Sequence, residues 1–107
     1  MTKKELENVI KDSLKQHDYN FETADREELL RVLNDIEQYD DTVCYDLIST
    51  DEWPIAIQSI TTIKFKDKNW SIIVSFDMVI PSDEKEFVEI IWAEYQDALR
   101  IQKTFNL

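Results

Sequence analysis

The sequence predicts an α+β domain: two N-terminal helices, an antiparallel meander of two or three strands, and a long C-terminal helix packed on one face of the sheet. Three observations predict it. Apolar residues recur every three to four positions near both ends of the chain, they alternate between residues 55 and 80, and Asp/Asn-rich segments punctuate the changes of period. A chain of 107 residues is the size of one domain with one core, spanning residues 1–107.

Thr2 followed by Glu5 has the spacing of a capping box, and Leu6, Val9, Ile10, Leu14 and His17 then keep helical spacing, so a helix is expected over about residues 3–17. Asp18-Tyr19-Asn20 breaks the pattern. Thr23 is the expected cap of a second helix, whose first turn carries Asp25, Glu27 and Glu28 and whose apolar side holds Leu29, Leu30, Val32, Leu33 and Ile36. A short linker makes the two an antiparallel hairpin.

After Tyr39-Asp40-Asp41 the period is ambiguous: Val43, Tyr45 and Leu47 alternate as in a strand, while Cys44 and Ile48 keep helical spacing. A short strand over Thr42–Ser49 is the preferred reading. Ile55, Ile57, Ile63 and Phe65 then share one strand face, as do Trp70, Ile72, Val74, Phe76, Met78 and Ile80. A two-residue turn at Asp67-Lys68 pairs Phe65 with Trp70 and Ile63 with Ile72, with a left-handed Asn69 in a longer loop as the alternative. Pro81 ends the strands. Ser82 caps the last helix, Asp83 and Glu84 suit its first turn, and Val88, Ile91, Trp92, Tyr95 and Leu99 form its core stripe, widened by Phe87, Ile90 and Ala98. Arg100 and Lys103 fall at its C-terminal end, where cations are favourable.

Composition excludes several classes of chemistry. The chain has no glycine, where about seven are expected at this length. Phosphate cradles of the P-loop and dinucleotide kinds, and the nucleophile elbow, all need glycine. A single Cys44 fits a reducing compartment, and no apolar run approaches the length needed to cross a bilayer, so a cytoplasmic location is expected. Cys44 and the only histidine, His17, are read as a small buried residue and a helix-end side chain, not as a nucleophile and base. The acids lack the calcium-loop pattern and its turn glycine, and one histidine with one cysteine does not make a zinc site. No catalytic residue, metal or cofactor is therefore expected, and the protein is read as a non-enzyme.

Charge is the sequence's strongest feature. The formal net charge is -11, with 15 acids and 6 bases in residues 1–52, 2 and 3 in residues 53–80, and 6 and 3 in residues 81–107. Between Arg31 and Lys64 stand 32 residues without lysine or arginine, holding Asp35, Glu37, Asp40, Asp41, Asp46, Asp51 and Glu52. Tyr39, Tyr45 and Trp53 are interleaved with them, residue types that combine contact area with a polar tip. A solubility role accounts for charge alone. The sharper expectation is a surface that attracts a basic partner. Asp83, Glu86, Glu89, Glu94 and Asp97 add a row along the last helix, where four residues rise about 6 Å, near the spacing of phosphates on a strand. The expected binding set is therefore Asp35, Glu37, Tyr39, Asp40, Asp41, Tyr45, Asp46, Asp51, Glu52, Trp53, Glu86, Glu89, Glu94 and Asp97. Direct binding of nucleic acid or of an anionic membrane is disfavoured, since the only basic cluster is Lys64, Lys66 and Lys68, read as protection of a strand end. Trp53 is also readable as packing over the sheet beside Pro54, and Trp70 and Trp92 as core residues.

In size, acidity and lack of catalytic residues, the chain resembles the small inhibitors encoded by phages and mobile elements, including anti-restriction and anti-CRISPR proteins and DNA mimics. It is similar, too, to the acidic immunity proteins that neutralise basic nuclease toxins. The resemblance rests on composition over the whole chain and assigns no residue. It implies a protein that inhibits or sequesters a basic, nucleic-acid-handling protein. The alternative from the residues is a self-associating accessory domain, a homodimer joined through an uncovered sheet face of Ala56, Ile60, Ile73 and Val79.

Overall fold

The chain runs α1 (Lys3–Gln16), α2 (Arg26–Tyr39), β1 (Val43–Ile48), β2 (Ala56–Phe65), β3 (Lys68–Asp77) and α3 (Glu84–Phe105) in a computed structural model. The structure describes residues 1–49, 51, 55–77 and 80–105, with the backbone alone described at 64–65 and 74–77. The three strands form one antiparallel sheet in the order β1-β2-β3, and α3 contacts the sheet, so the molecule is α+β as expected.

Local chemistry explains the helices. Thr2 Oγ1 accepts the Glu5 N–H at 3.1 Å and donates to the Glu5 carboxylate, which is the expected capping box. α2 begins later than expected. Asn20 organises a turn, its Oδ1 accepting from Glu22 N–H and its carbonyl from the N–H groups of Thr23 and Ala24. Thr23 therefore stays in the turn, and Asp25 is the cap, accepting from Glu28 N–H at 3.0 Å. At α3 the cap is also later, by one residue: Asp83 Oδ1 accepts from Glu86 N–H at 2.7 Å, while Ser82 Oγ donates to the Glu86 carboxylate. α1 and α2 are antiparallel, since Glu5 meets Tyr39 at one end and Ser13 meets Asp35 further along.

The residues expected on the apolar sides of α1 and α2 build the core. Leu6, Ile10, Leu29, Val32, Leu33 and Ile36 are almost fully buried together with Val43 and Leu47 of β1, Ile57 of β2, and Phe87 and Ile91 of α3. Burying each such side chain is worth about 1.5–3 kcal/mol. The stripe of α3 is rotated from the expected one: Phe87, Val88, Ile91, Tyr95 and Ala98 are buried, Trp92 is half-buried and stacked on Tyr95, and Leu99 is exposed.

The sheet departs from the sequence reading in three places. The turn lies at Lys66-Asp67, two residues earlier in pairing sum than expected, so Phe65 pairs with Lys68 and Ile63 with Trp70. Lys66 (φ 50°) and Asp67 (φ 63°) both adopt left-handed backbone, the requirement of a turn that matches strand twist, here met without glycine; Asn69 does not. A shift of two preserves the side-chain face, which is why the alternation remained readable. Second, a register irregularity at Ser59/Ile60 pairs Ile60 with Ile73 and Ser59 with Ser75, skipping residue 74, so the expected single face of β3 does not continue past Ile73 in regular register. Third, Trp70 leaves the core. β1 is the short strand expected and pairs only from Val43↔Thr61 to Ile48↔Ala56, so the β2–β3 ribbon runs on past it. Trp70 lies on that overhang and is 57% exposed, not a core residue.

α2 lies along the outer edge of β1. Glu37 Oε1 accepts from the Tyr45 N–H, and Arg26 donates from its guanidinium to the Leu47 carbonyl. Two side chains of one helix thus occupy backbone groups that an edge strand otherwise presents to other chains.

Candidate binding surface

The α2–β1 junction gathers the acids. Tyr39 ends α2 with its ring 51% exposed and its hydroxyl donating to Glu5 Oε2 at 2.7 Å. Asp40 follows as the helix C-cap, accepts from Thr42 N–H at 2.9 Å and lies 3.8 Å from the Met1 ammonium. Asp41 is exposed and, with Glu37, raises the pKa of Cys44. Glu5, Tyr39 and Asp40 therefore meet at the end of α2, with the exposed Asp41 following, and Glu5 is a residue of α1 outside the expected set. The signal for Glu5 was its position: the start of α1 must meet the end of α2 in an antiparallel pair.

Electrostatics follow from the same contacts. Hydrogen bonds from Tyr39 and Thr2 hold the Glu5 carboxyl below its ordinary value, and the same bond with Glu5 holds Tyr39 above its own. Partial burial pushes Asp40 up, but hydrogen bonds from Thr42 and the nearby N-terminal ammonium outweigh it, leaving the carboxyl lowered. Burial, then Glu37 and Asp41, push the Cys44 thiol up.

Other members of the expected set have structural work. Tyr45 is 7% exposed and belongs to the core, where burial, then Glu94, Glu37 and Asp40, push its phenol upward. Glu94 is 5% exposed and accepts a hydrogen bond from Ser59 Oγ beneath α3. Neither forms part of an outer surface. Asp35 accepts from Ser13 Oγ at 2.6 Å and meets His17 Nε2 at 2.8 Å, half-buried between α1 and α2. Glu37 accepts from β1, as described above. Asp46 is exposed and takes the Leu47 N–H at 2.8 Å; Asp51 is exposed. Glu52 and Trp53 lie outside the described residues.

The row on α3 is interrupted. Glu86 accepts from Ser82, Glu89 pairs with Lys3 at 2.7 Å, Asp97 pairs with Arg100, and the buried Glu94 separates them. A continuous phosphate-like stripe does not form.

Two further expectations change. Cys44 is exposed, because the β1 alternation buries Val43, Tyr45 and Leu47 and turns Cys44 and Asp46 outward. Of the supposed uncovered face, Ala56 is buried, Ile60 is half-buried and Ile73 is 61% exposed, while Val79 lies outside the described residues. No group of three or more His, Cys, Asp or Glu is placed to hold a metal ion, and no helix is long and apolar enough to cross a membrane, among the described residues. The fold and surface define an α+β domain with an acidic corner built around one exposed tyrosine. No known family, curated protein or solved structure matches the chain.

Proposed function

We propose that the protein is a non-enzymatic binding protein that inhibits or sequesters a basic, nucleic-acid-handling protein through the acidic corner of Glu5, Tyr39, Asp40 and Asp41. The observation that supports this reading is the exposed Tyr39, whose hydroxyl donates to Glu5 and which feels the charges of Glu5 and Asp40. Tyrosine supplies contact area with few rotatable bonds, and the surrounding acids supply steering and selection against acidic competitors. Asp41 and Asp51 extend the negative field, whereas Tyr45 and Glu94 support the fold from within.

The test is capture of the partner from the native host at low and high salt, followed by titration of the purified partner with the parent chain and with Tyr39→Ala/Asp41→Lys. The double variant is expected to bind at least tenfold more weakly, about 1.4 kcal/mol, with a reduced salt dependence. A folded double variant that binds as tightly as the parent overturns the reading. The captured protein's identity separates an inhibitor of a nucleic-acid enzyme from an immunity protein for a toxin.

A further inference from the structure

An apolar groove of about 220 Å³ lies between the ribbon overhang and the end of α3, lined by Ile63, Trp70, Ile72 and Phe105. It exists because β1 stops opposite Thr61 while β2 continues to Phe65, leaving that end of the ribbon to the last turn of α3. Trp70 and Phe105 are each more than half exposed, and a concentration of large apolar side chains in water marks a surface that another molecule covers.

Charge indicates what kind. Residues 62–72 and 98–105 hold five bases and one acid, against seven bases and 22 acids in the rest of the chain. Lys68 is exposed and, two residues away on the same strand, shares the face of Trp70. The groove thus calls for an apolar group set among carboxylates. The same chain carries one: the exposed Tyr39, bonded to Glu5 and beside Asp40, with the exposed Asp41 two residues on.

We propose that the groove of one copy takes the Tyr39 corner of a second copy, the tyrosine ring covering Trp70 and Phe105 while Lys68 faces the corner's carboxylates. The interaction uses the corner assigned above to a basic partner, so self-association and partner binding exclude one another at that corner. Surfaces of opposite character on one chain give a contact in which each copy can contribute either half.

Sedimentation velocity over a wide concentration range tests this. The parent chain is expected to self-associate with rising concentration and to dissociate as salt is added. Trp70→Ala, Lys68→Glu and Tyr39→Ala/Asp41→Lys are each expected to sediment as monomers, with circular dichroism confirming that they fold. Mixing Trp70→Ala, which keeps the corner, with Tyr39→Ala/Asp41→Lys, which keeps the groove, restores a heterodimer. A parent chain that stays monomeric, association that survives Trp70→Ala, or a mixture that stays monomeric overturns the proposal. Quenching of tryptophan fluorescence by oleate in a monomeric parent, absent in Trp70→Ala, assigns the groove to a lipid carboxylate and overturns it as well. Trp70→Ala retains the acidic corner, so its binding of the captured partner reports on the proposed function separately.

Discussion

Ser59 Oγ on β2 donates to the Glu94 carboxylate on α3, with Ser59 fully buried and Glu94 nearly so. This bond ties the C-terminal helix to the middle of the sheet, next to the buried Tyr45 phenol, which feels the Glu94 charge. Its loss withdraws a donor from a buried carboxylate, which costs about 1–3 kcal/mol. Ser59→Ala is therefore expected to lower unfolding stability by that amount in urea, and the cycle with Glu94→Gln is expected to show coupling of about 0.5–3 kcal/mol. Additive single effects would show that the two residues stabilise the protein independently.

The Lys66-Asp67 turn offers the opposite sign. Left-handed backbone costs a side-chain-bearing residue about 1–2 kcal/mol, and both turn residues adopt it. Lys66→Asn/Asp67→Gly is expected to raise stability by about 1 kcal/mol, read as a shift in the urea midpoint without a change in slope.

The Tyr39–Glu5 bond predicts a pH dependence on both sides. Glu5 is lowered in the folded chain, so its contribution is present above the ordinary carboxylate value and is lost as pH falls through the lowered one. Tyr39 is raised, so its contribution is present below the ordinary phenol value and is lost as pH rises through the raised one. Thermal unfolding of Tyr39→Phe across pH is expected to show shallower losses at both extremes than the parent. Identical curves would remove the bond from the energetics of the fold.

Cys44 acts as a local meter of the acidic corner. Its thiol is exposed, yet burial of part of the side chain and the charges of Glu37 and Asp41 oppose thiolate formation. Alkylation near neutral pH is expected to be slower than for free cysteine, and to speed up with added salt or in Asp41→Asn. Rates insensitive to both would place Asp41 outside the field felt by the thiol.

Much of this architecture was legible in the sequence because local patterns and tertiary packing agree there. Leu6, Ile10, Leu29, Leu33 and Phe87 lie where helical periodicity puts them, and the capping pair Thr2–Glu5 forms as its spacing requires. What was not legible depends on relations between elements. Trp70 follows a core pattern but sits on a ribbon that outruns its neighbour, a length mismatch visible only once β1 is paired. Glu94 reads as an exposed acid until the rotation of α3 places it over Ser59. The cluster at Tyr39 was only half visible, because Glu5 is distant in sequence and joins it through helix packing. Residue type alone suggests a buried Cys44, whereas the alternation of its own strand turns it outward.

The contacts of Glu37 and Arg26 with β1 also bear on the order in which this chain acquires its structure. Glu37 reaches Tyr45 over eight residues and Arg26 reaches Leu47 over 21, so both close short loops at small entropic cost. The helix and strand make a unit that matures together, and the Tyr45 amide is protected from exchange only while α2 is docked. Conditions that release α2 would uncover the outer backbone of β1, one of the two edge strands of the sheet, and leave it able to recruit other chains.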